Sequence, residues 1–356
     1  MNKKDLREIF LSIKNTVFKK PLSVKKFLNF VTLLIVTVPS FIFCFLQRIT
    51  SPFVTIRIGK IRNQHYGHFL LESDYYLSKN ANIKNSPYKL DIFYLDGESA
   101  NRFYQEVLRK QIYILPKCIL QMIYFLNFHL FKSNKFTIII PDRITDLTEL
   151  DKYNPGINLL PVNINTVTHL NYDFQKSCVL FFLRDSEKFN DSFSLRNVDV
   201  RTYDKSVDLL ISMNFDVYVF TDKYITHYSE KMVKKISRNS SDLATASLEF
   251  YLASICDFAV ATDSGSFHLP YLFRKKIILT NICGPIGDIK SSFIHGKTYK
   301  KWVDLNLGFE LDFTIFKTEV LFDSDHLFKE HNIGLIDNTE EEIRDAIELF
   351  LKNRKP

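Results

Sequence analysis

From Ser51 onward the chain alternates strand-like runs with helix-length segments, and this alternation limits it to an α/β architecture. Residues 53–58 (FVTIRI) read as a strand, 59–67 as a loop and 68–78 (HFLLESDYYLS) as a helix. Residues 90–95 read as a second strand and 101–132 as one helical stretch with a broad apolar face. The unbroken apolar run at 136–140 (FTIII) suits a strand of a parallel sheet. The segment 154–171 is rich in Pro and Asn and lacks periodicity, which marks a linker. A second set follows, with strands at 177–183, 216–220, 258–261 and 276–280 and helices at 199–213, 246–255 and 266–273. Residues 339–352 form an amphipathic helix, and Asn338-Thr339 ahead of Glu340, Glu341 and Glu342 suits its start. The expected organisation is two Rossmann-like lobes facing a cleft, at 51–160 and 170–335, with a C-terminal helix at 336–356.

Ahead of the first lobe, residues 27–46 (FLNFVTLLIVTVPSFIFCFL) are twenty in a row without a charge, long enough for a helix to match a bilayer of ~30 Å. Residues 1–26 carry eight Lys and Arg against Asp5 and Glu8. A membrane-associated segment over 1–50 is therefore expected, contacting the membrane surface through residues 1–46. Pro39 would kink a straight span, and Arg48, Arg57, Lys60 and Arg62 make the far flank basic too, so the distribution of charge selects no orientation. A monotopic or hairpin insertion, a single span and a first core helix all fit. The apolar run is too long for a signal-peptide core and no small-residue cleavage site follows it. The expected location is the cytoplasmic side of the inner membrane, peripheral or monotopic.

The net charge of +7 is concentrated in that leader: the other 330 residues hold 39 basic against 38 acidic side chains. Such a body offers no basic face for DNA or RNA, and no nucleic-acid partner is expected. Cys44, Cys118, Cys178, Cys256 and Cys283 are odd in number and never paired as CxxC, which builds neither a disulfide framework nor a zinc site. A reducing compartment fits them. All but Cys283 sit in apolar runs, where a thiol behaves as a small hydrophobe.

Chemistry concentrates in AVATDSGSFHLPYLFRKKIILTN, residues 259–281. A buried strand runs into Thr262-Asp263-Ser264-Gly265-Ser266 and then a helix, and helix starts at the carboxyl end of a sheet strand bind phosphate. Gly265 would admit a diphosphate to the backbone, with Ser264, Ser266 and His268 as donors. Equally, Asp263 or Ser264 could only cap the helix and His268 only fill the core. Arg184 ends the strand CVLFFLRD, where it faces either a ligand crevice or Asp185 and Glu187.

The TDSGSFH segment resembles the D-[ST]-G-x-x-H diphosphate loop of heptosyltransferase-type glycosyltransferases of the GT-B class. Arg196-Asn197-Val198-Asp199 before a helix, YLASICDFAVATDSG, ILTN at 278–281 and IGLIDNTEEEI at 333–343 are similar to segments of bacterial surface-polysaccharide glycosyltransferases. So is RIGKIRNQHYGHFLLESDYYLS at 57–78, and the likeness spans most of residues 54–350. The resemblance implies a GT-B-like fold with the first lobe for the acceptor and the second for the donor. It also implies transfer of a sugar from a nucleotide-diphosphate donor to a cell-surface polysaccharide or lipid-linked acceptor.

Such a reaction needs donors and cations for the leaving diphosphate and a general base for the acceptor hydroxyl. Arg184 fits the first need, and Arg196 less well. For the base, the first-lobe segment offers His65, His68, Glu72 and Asp74. His68 follows Gly67 at a helix start, where the dipole favours the neutral, proton-accepting ring, and Glu72 one turn on could orient it or replace it. The family's acidic residue in the corresponding loop is not matched here. Glu249 sits where the family tends to have an acid and could take a ribose hydroxyl, while Thr221 and Asp222 occupy another strand-end turn. Asp323-Ser324-Asp325 copies a DxD metal motif but reads as a helix cap, so no metal and no cofactor are expected. A polysaccharide pyruvyltransferase-like enzyme, against which TDSGSFH speaks, and a non-catalytic scaffold for envelope-glycan assembly are the alternatives.

Overall fold

A computed structural model describes residues 24–81, 88–141, 144–155, 177–184, 195–221, 233–237, 243–284, 289–312, 328 and 330–353. In chain order its first elements are α1 (Val24–Thr50), β1 (Thr55–Ile61), α2 (Tyr66–Ala81), β2 (Lys89–Leu95), α3 (Arg102–Arg109), β3 (Tyr113–Ile114), α4 (Lys117–Phe125) and β4 (Thr137–Ile138). Then come β5 (Cys178–Phe182), α5 (Asp204–Ser212), β6 (Asp216–Thr221), β7 (Val233–Ser237), α6 (Leu243–Ile255), β8 (Phe258–Thr262), α7 (His268–Leu272), β9 (Lys276–Ile282) and β10 (Ile294–Tyr299). The chain ends with β11 (Lys301–Asp304), β12 (Glu310–Leu311), β13 (Ile333–Ile336) and α8 (Glu340–Asn353). It divides into a smaller unit of residues 1–60, 85–95 and 113–139 and a larger one of residues 61–84, 96–112 and 140–356.

The smaller unit is built on a four-stranded sheet ordered β3-β2-β1-β4. Its core joins Ile58 and Tyr94 from the strands to Leu120, Ile123 and Leu126 from α4 and the π-helical turn after it, and to Cys44 of α1. A buried amide fastens α1 there: Asn127 donates to Gln47 Oε1 at 2.8 Å and accepts from the Arg48 guanidinium at 3.1 and 3.2 Å.

The larger unit holds a six-stranded parallel sheet ordered β10-β9-β8-β5-β6-β7. Every residue of β5 and β8 is buried, as a sheet covered on both faces requires. One face packs Val179, Phe181, Val217, Val260 and Ile278 against α5 and α8 through Val207, Leu210, Ile343, Ile347 and Phe350. On the other, Phe182 stacks on Phe220 with ring centroids 4.9 Å apart, and α6 and α7 lie against β5 and β9. The start of α8 is a reciprocal cap: Glu342 N–H donates to Thr339 Oγ1 at 3.2 Å and Thr339 N–H to Glu342 Oε2 at 2.9 Å. A small antiparallel sheet, β12-β11-β13, surrounds the buried Trp302.

Several expectations change. The single helix over 101–132 is instead α3, β3, α4 and a π turn (Leu126–Leu130). Pro116 lacks an amide proton and biases Leu115 toward extended backbone, so Leu115 N–H bonds Phe93 O at 2.9 Å across the sheet. The strand expected at 53–58 instead spans Thr55–Ile61, and α2 begins at Tyr66, two residues before His68. β7, with two lysines in VKKIS, and the polar edge strand β10 (IHGKTY) carry too few apolar residues to announce themselves. Cys118 is exposed, whereas the other four cysteines are buried. The basic residues before Val24 and most of the expected linker lie outside the described residues. Among the described residues no helix is long and apolar enough to cross a membrane.

Candidate functional site

The strand order of the large sheet fixes where a ligand can sit. From β5 the chain winds outward through β6 and β7, returns to the opposite side of β5, and winds outward again through β8, β9 and β10. This is the order of a doubly wound nucleotide-binding sheet, and its switch point lies at the carboxyl ends of β5 and β8. The segment after β5 delivers Arg184 to that point, and the segment after β8 delivers Asp263-Ser264-Gly265-Ser266.

Arg184 is half-buried. Its backbone N–H donates to Thr262 Oγ1 at 3.2 Å and its Nε to Asn197 Oδ1 at 3.3 Å, which ties the two strand ends together. Asp185 and Glu187, the competing ion-pair partners, lie outside the described residues. Asp263 does not cap a helix: its Oδ2 accepts from Cys283 N–H at the end of β9, 3.3 Å away. Nor does Ser264, whose backbone is extended and whose hydroxyl meets that of Ser266 at 2.5 Å. The Cys283 thiol reports the local field. Burial and then Asp263 push it up to about 12, against Lys300, Arg196 and Arg184. Lys300 is committed to Asp337 at 2.7 Å and to the carbonyls of Leu195 and Asn197.

The helix expected over 266–273 is a 3-10 turn (Gly265–Phe267) followed by the five-residue α7. So short a helix carries little dipole, which leaves hydroxyls, backbone and cations as the groups for an anion.

The start of α2 packs directly on this turn. A Cβ on Gly67 would lie 2.6 Å from Gly265 Cα, and one on Gly265 would lie 2.7 Å from Gly67 N. Only glycine at both positions allows two backbones so close. Segments roughly 200 residues apart are thereby joined, and the candidate base is brought beside the candidate phosphate turn.

His68 is half-exposed, with Nδ1 3.5 Å from Glu72 Oε1. Glu72 is buried, its Oε2 accepts from Arg62 N–H at 2.9 Å, and Oε1 also bonds the Arg62 guanidinium. Both carboxylate oxygens of Glu72 are thus occupied. Asp74 is taken up by a buried ion pair with Arg274 at 2.8 Å and a bond from Ser78 Oγ at 2.9 Å, which pins α2 to the end of α7. His65 is exposed, its ring centroid 6.0 Å from that of His68. His268 is buried: desolvation first, and then the nearby His68, hold its pKa down to about 3. Its Nδ1 has no hydrogen-bond partner among the described residues.

Thr221 ends β6, the strand beside β5, and is buried; Glu249 is buried within α6. Asp222 and Asp323-Ser324-Asp325 lie outside the described residues. Among the described residues no group of three or more His, Cys, Asp and Glu could hold a metal ion. Arg62, read from the sequence only as part of a basic flank, and Arg274 showed no site role there because their partners, Glu72 and Asp74, are recognisable only once α2 is folded.

This architecture is shared with solved glycosyltransferases. The structure of Escherichia coli ADP-heptose LPS heptosyltransferase II superposes with a TM-score of 0.51 at 9% identity, over 85% of this chain and 100% of that one. The glycosyl transferase family 9 structure from Veillonella parvula gives 0.52 at 12% identity, over 84% and 98%. No family model and no curated protein matches the sequence. The likeness is therefore one of fold, and it is the heptosyltransferase-type fold that the TDSGSFH segment resembled.

Proposed function

We propose that the protein is a glycosyltransferase that moves a sugar from a nucleotide-diphosphate donor to a hydroxyl of a surface polysaccharide or lipid-linked acceptor. One observation carries this reading: Arg184 and the Ser264–Ser266 turn meet at the switch point of a doubly wound sheet, with the His68 helix start packed against that turn. The diphosphate binds there, and the charge it gains on leaving is met by Arg184, by Arg196 at the edge, and by the two serine hydroxyls. No metal is part of this reading.

In this reading Glu72 Oε1, 3.5 Å from His68 Nδ1, orients the ring, and Nε2 accepts the acceptor's proton. The acceptor oxygen bonds the anomeric carbon as the bond from that carbon to the phosphate oxygen breaks, and the electron pair departs with the nucleoside diphosphate. His68→Ala should lower turnover at least ~100-fold with donor affinity unchanged. Near-normal turnover would remove His68 as the base. The reading also places the protein on the cytoplasmic side of the inner membrane, peripheral or monotopic, where a lipid-linked acceptor would meet it.

A further inference from the structure

The two sides of α1 differ in kind. Ser40, Cys44 and Gln47 are buried against the smaller unit. At roughly 100° per residue they share one side of the helix, and Ile35, Val38, Ile42, Phe45, Leu46 and Ile49 fall on the other, each about half exposed or more. Phe41 meets Phe131 edge-on, with ring centroids 6.0 Å apart, and carries this apolar surface past the π turn to the end of that helical segment. In the fold, basic groups stand at the carboxyl end of the stripe: Arg48, whose guanidinium covers the Phe131 ring at 4.1 Å, and the exposed Lys132 and Lys135. In the sequence, eight Lys and Arg precede it within residues 1–26.

We infer that α1 and the Phe131 turn form one docking face for an anionic phospholipid surface, with the carboxyl half of α1 lying in the plane of the interface. An apolar stripe with exposed basic side chains beside it complements acyl chains beneath anionic headgroups. A second copy of the chain would bring like charges together instead. A lone spanning helix would be surrounded by lipid, and the Gln47–Asn127–Arg48 bonds instead commit one side of α1 to protein. The inference deepens the membrane association proposed above and is separable from sugar transfer, since its residues belong to the smaller unit and Arg184 and Ser264 to the larger.

The test is sedimentation of the full-length protein with phosphatidylglycerol-containing vesicles and with phosphatidylcholine vesicles. Binding to the anionic vesicles should be favoured, should weaken with salt, and should fall at least 10-fold in the double variant Ile42→Glu, Phe45→Glu. Circular dichroism and donor affinity should be unchanged, because both side chains point to solvent. In the variant Val38→Trp, near the middle of residues 27–46, fluorescence should be quenched most by bromines near the glycerol backbone, with buried Trp302 as a constant background. Equal binding by the double variant, or equal binding to neutral vesicles, overturns the inference. Strongest quenching from the bilayer centre overturns it in favour of a span. A wild-type dimer that the double variant converts to monomer, without vesicle binding, assigns the face to self-association.

Discussion

Lowering the pH from 7.5 to 5.0 should cost the native state about 2 kcal/mol through His268 alone. The imidazole is buried behind the Ser264–Ser266 turn and is held to a pKa of about 3, against an ordinary 6.5. The folded form therefore stays neutral across this range while the unfolded chain takes up a proton. The stabilising contribution is fully present above pH 6.5 and is lost as the pH falls from there toward 3. At pH 5.0 the unfolded histidine is about 1.5 pH units below its midpoint, and at 1.36 kcal/mol per unit the loss is about 2 kcal/mol. Urea denaturation at pH 7.5 and 5.0 would measure it, comparing wild type with His268→Asn. The substitution lowers stability at both pH values through lost packing, but the difference between them should shrink by about 2 kcal/mol; titrations of carboxylates common to both proteins cancel. An identical pH dependence would refute the burial of a neutral His268.

Arg274→Ala should destabilise by about 3–5 kcal/mol, because it strands the Asp74 carboxylate in the interior, and adding Asp74→Asn should recover part of the loss in denaturant melts. Gly67→Ala should cost about 1–3 kcal/mol, since the new methyl meets Gly265 backbone. It should also reduce donor affinity and turnover together, whereas Ser264→Ala should alter donor affinity without lowering the melting temperature appreciably. Thr339→Ala should cost about 1 kcal/mol through loss of the α8 cap, with donor affinity unaffected.

The central strands of the large sheet were legible because their apolar runs are continuous: CVLFF, DVYVF, FAVAT and KIILT each fill a doubly covered strand. Edge strands were not, since VKKIS and IHGKTY are polar on purpose at a sheet margin. Within the site, the order of elements put the TDSGSFH turn and Arg184 at strand ends of the second lobe, but left open whether they face a ligand or only cap and pair locally. What the sequence left open was the choice among His65, His68, Glu72 and Asp74. That choice depends on which carboxylates are already occupied, and Arg62 and Arg274 reach Glu72 and Asp74 only through tertiary packing. The Gly67–Gly265 approach was likewise invisible, because nothing in the sequence pairs two glycines roughly 200 residues apart.

Calorimetric titration of UDP-, GDP-, ADP- and CMP-sugars into the wild-type protein and into Arg184→Ala and Ser264→Ala, Ser266→Ala variants tests the account most directly. At least one diphosphate donor should bind, the CMP-sugar with its single phosphate should bind more weakly, and each variant should lose at least ~10-fold in affinity for the diphosphate donor. Diphosphate-sugar affinity that is the same in wild type and both variants would contradict the assignment of the β5–β8 switch point as the donor site.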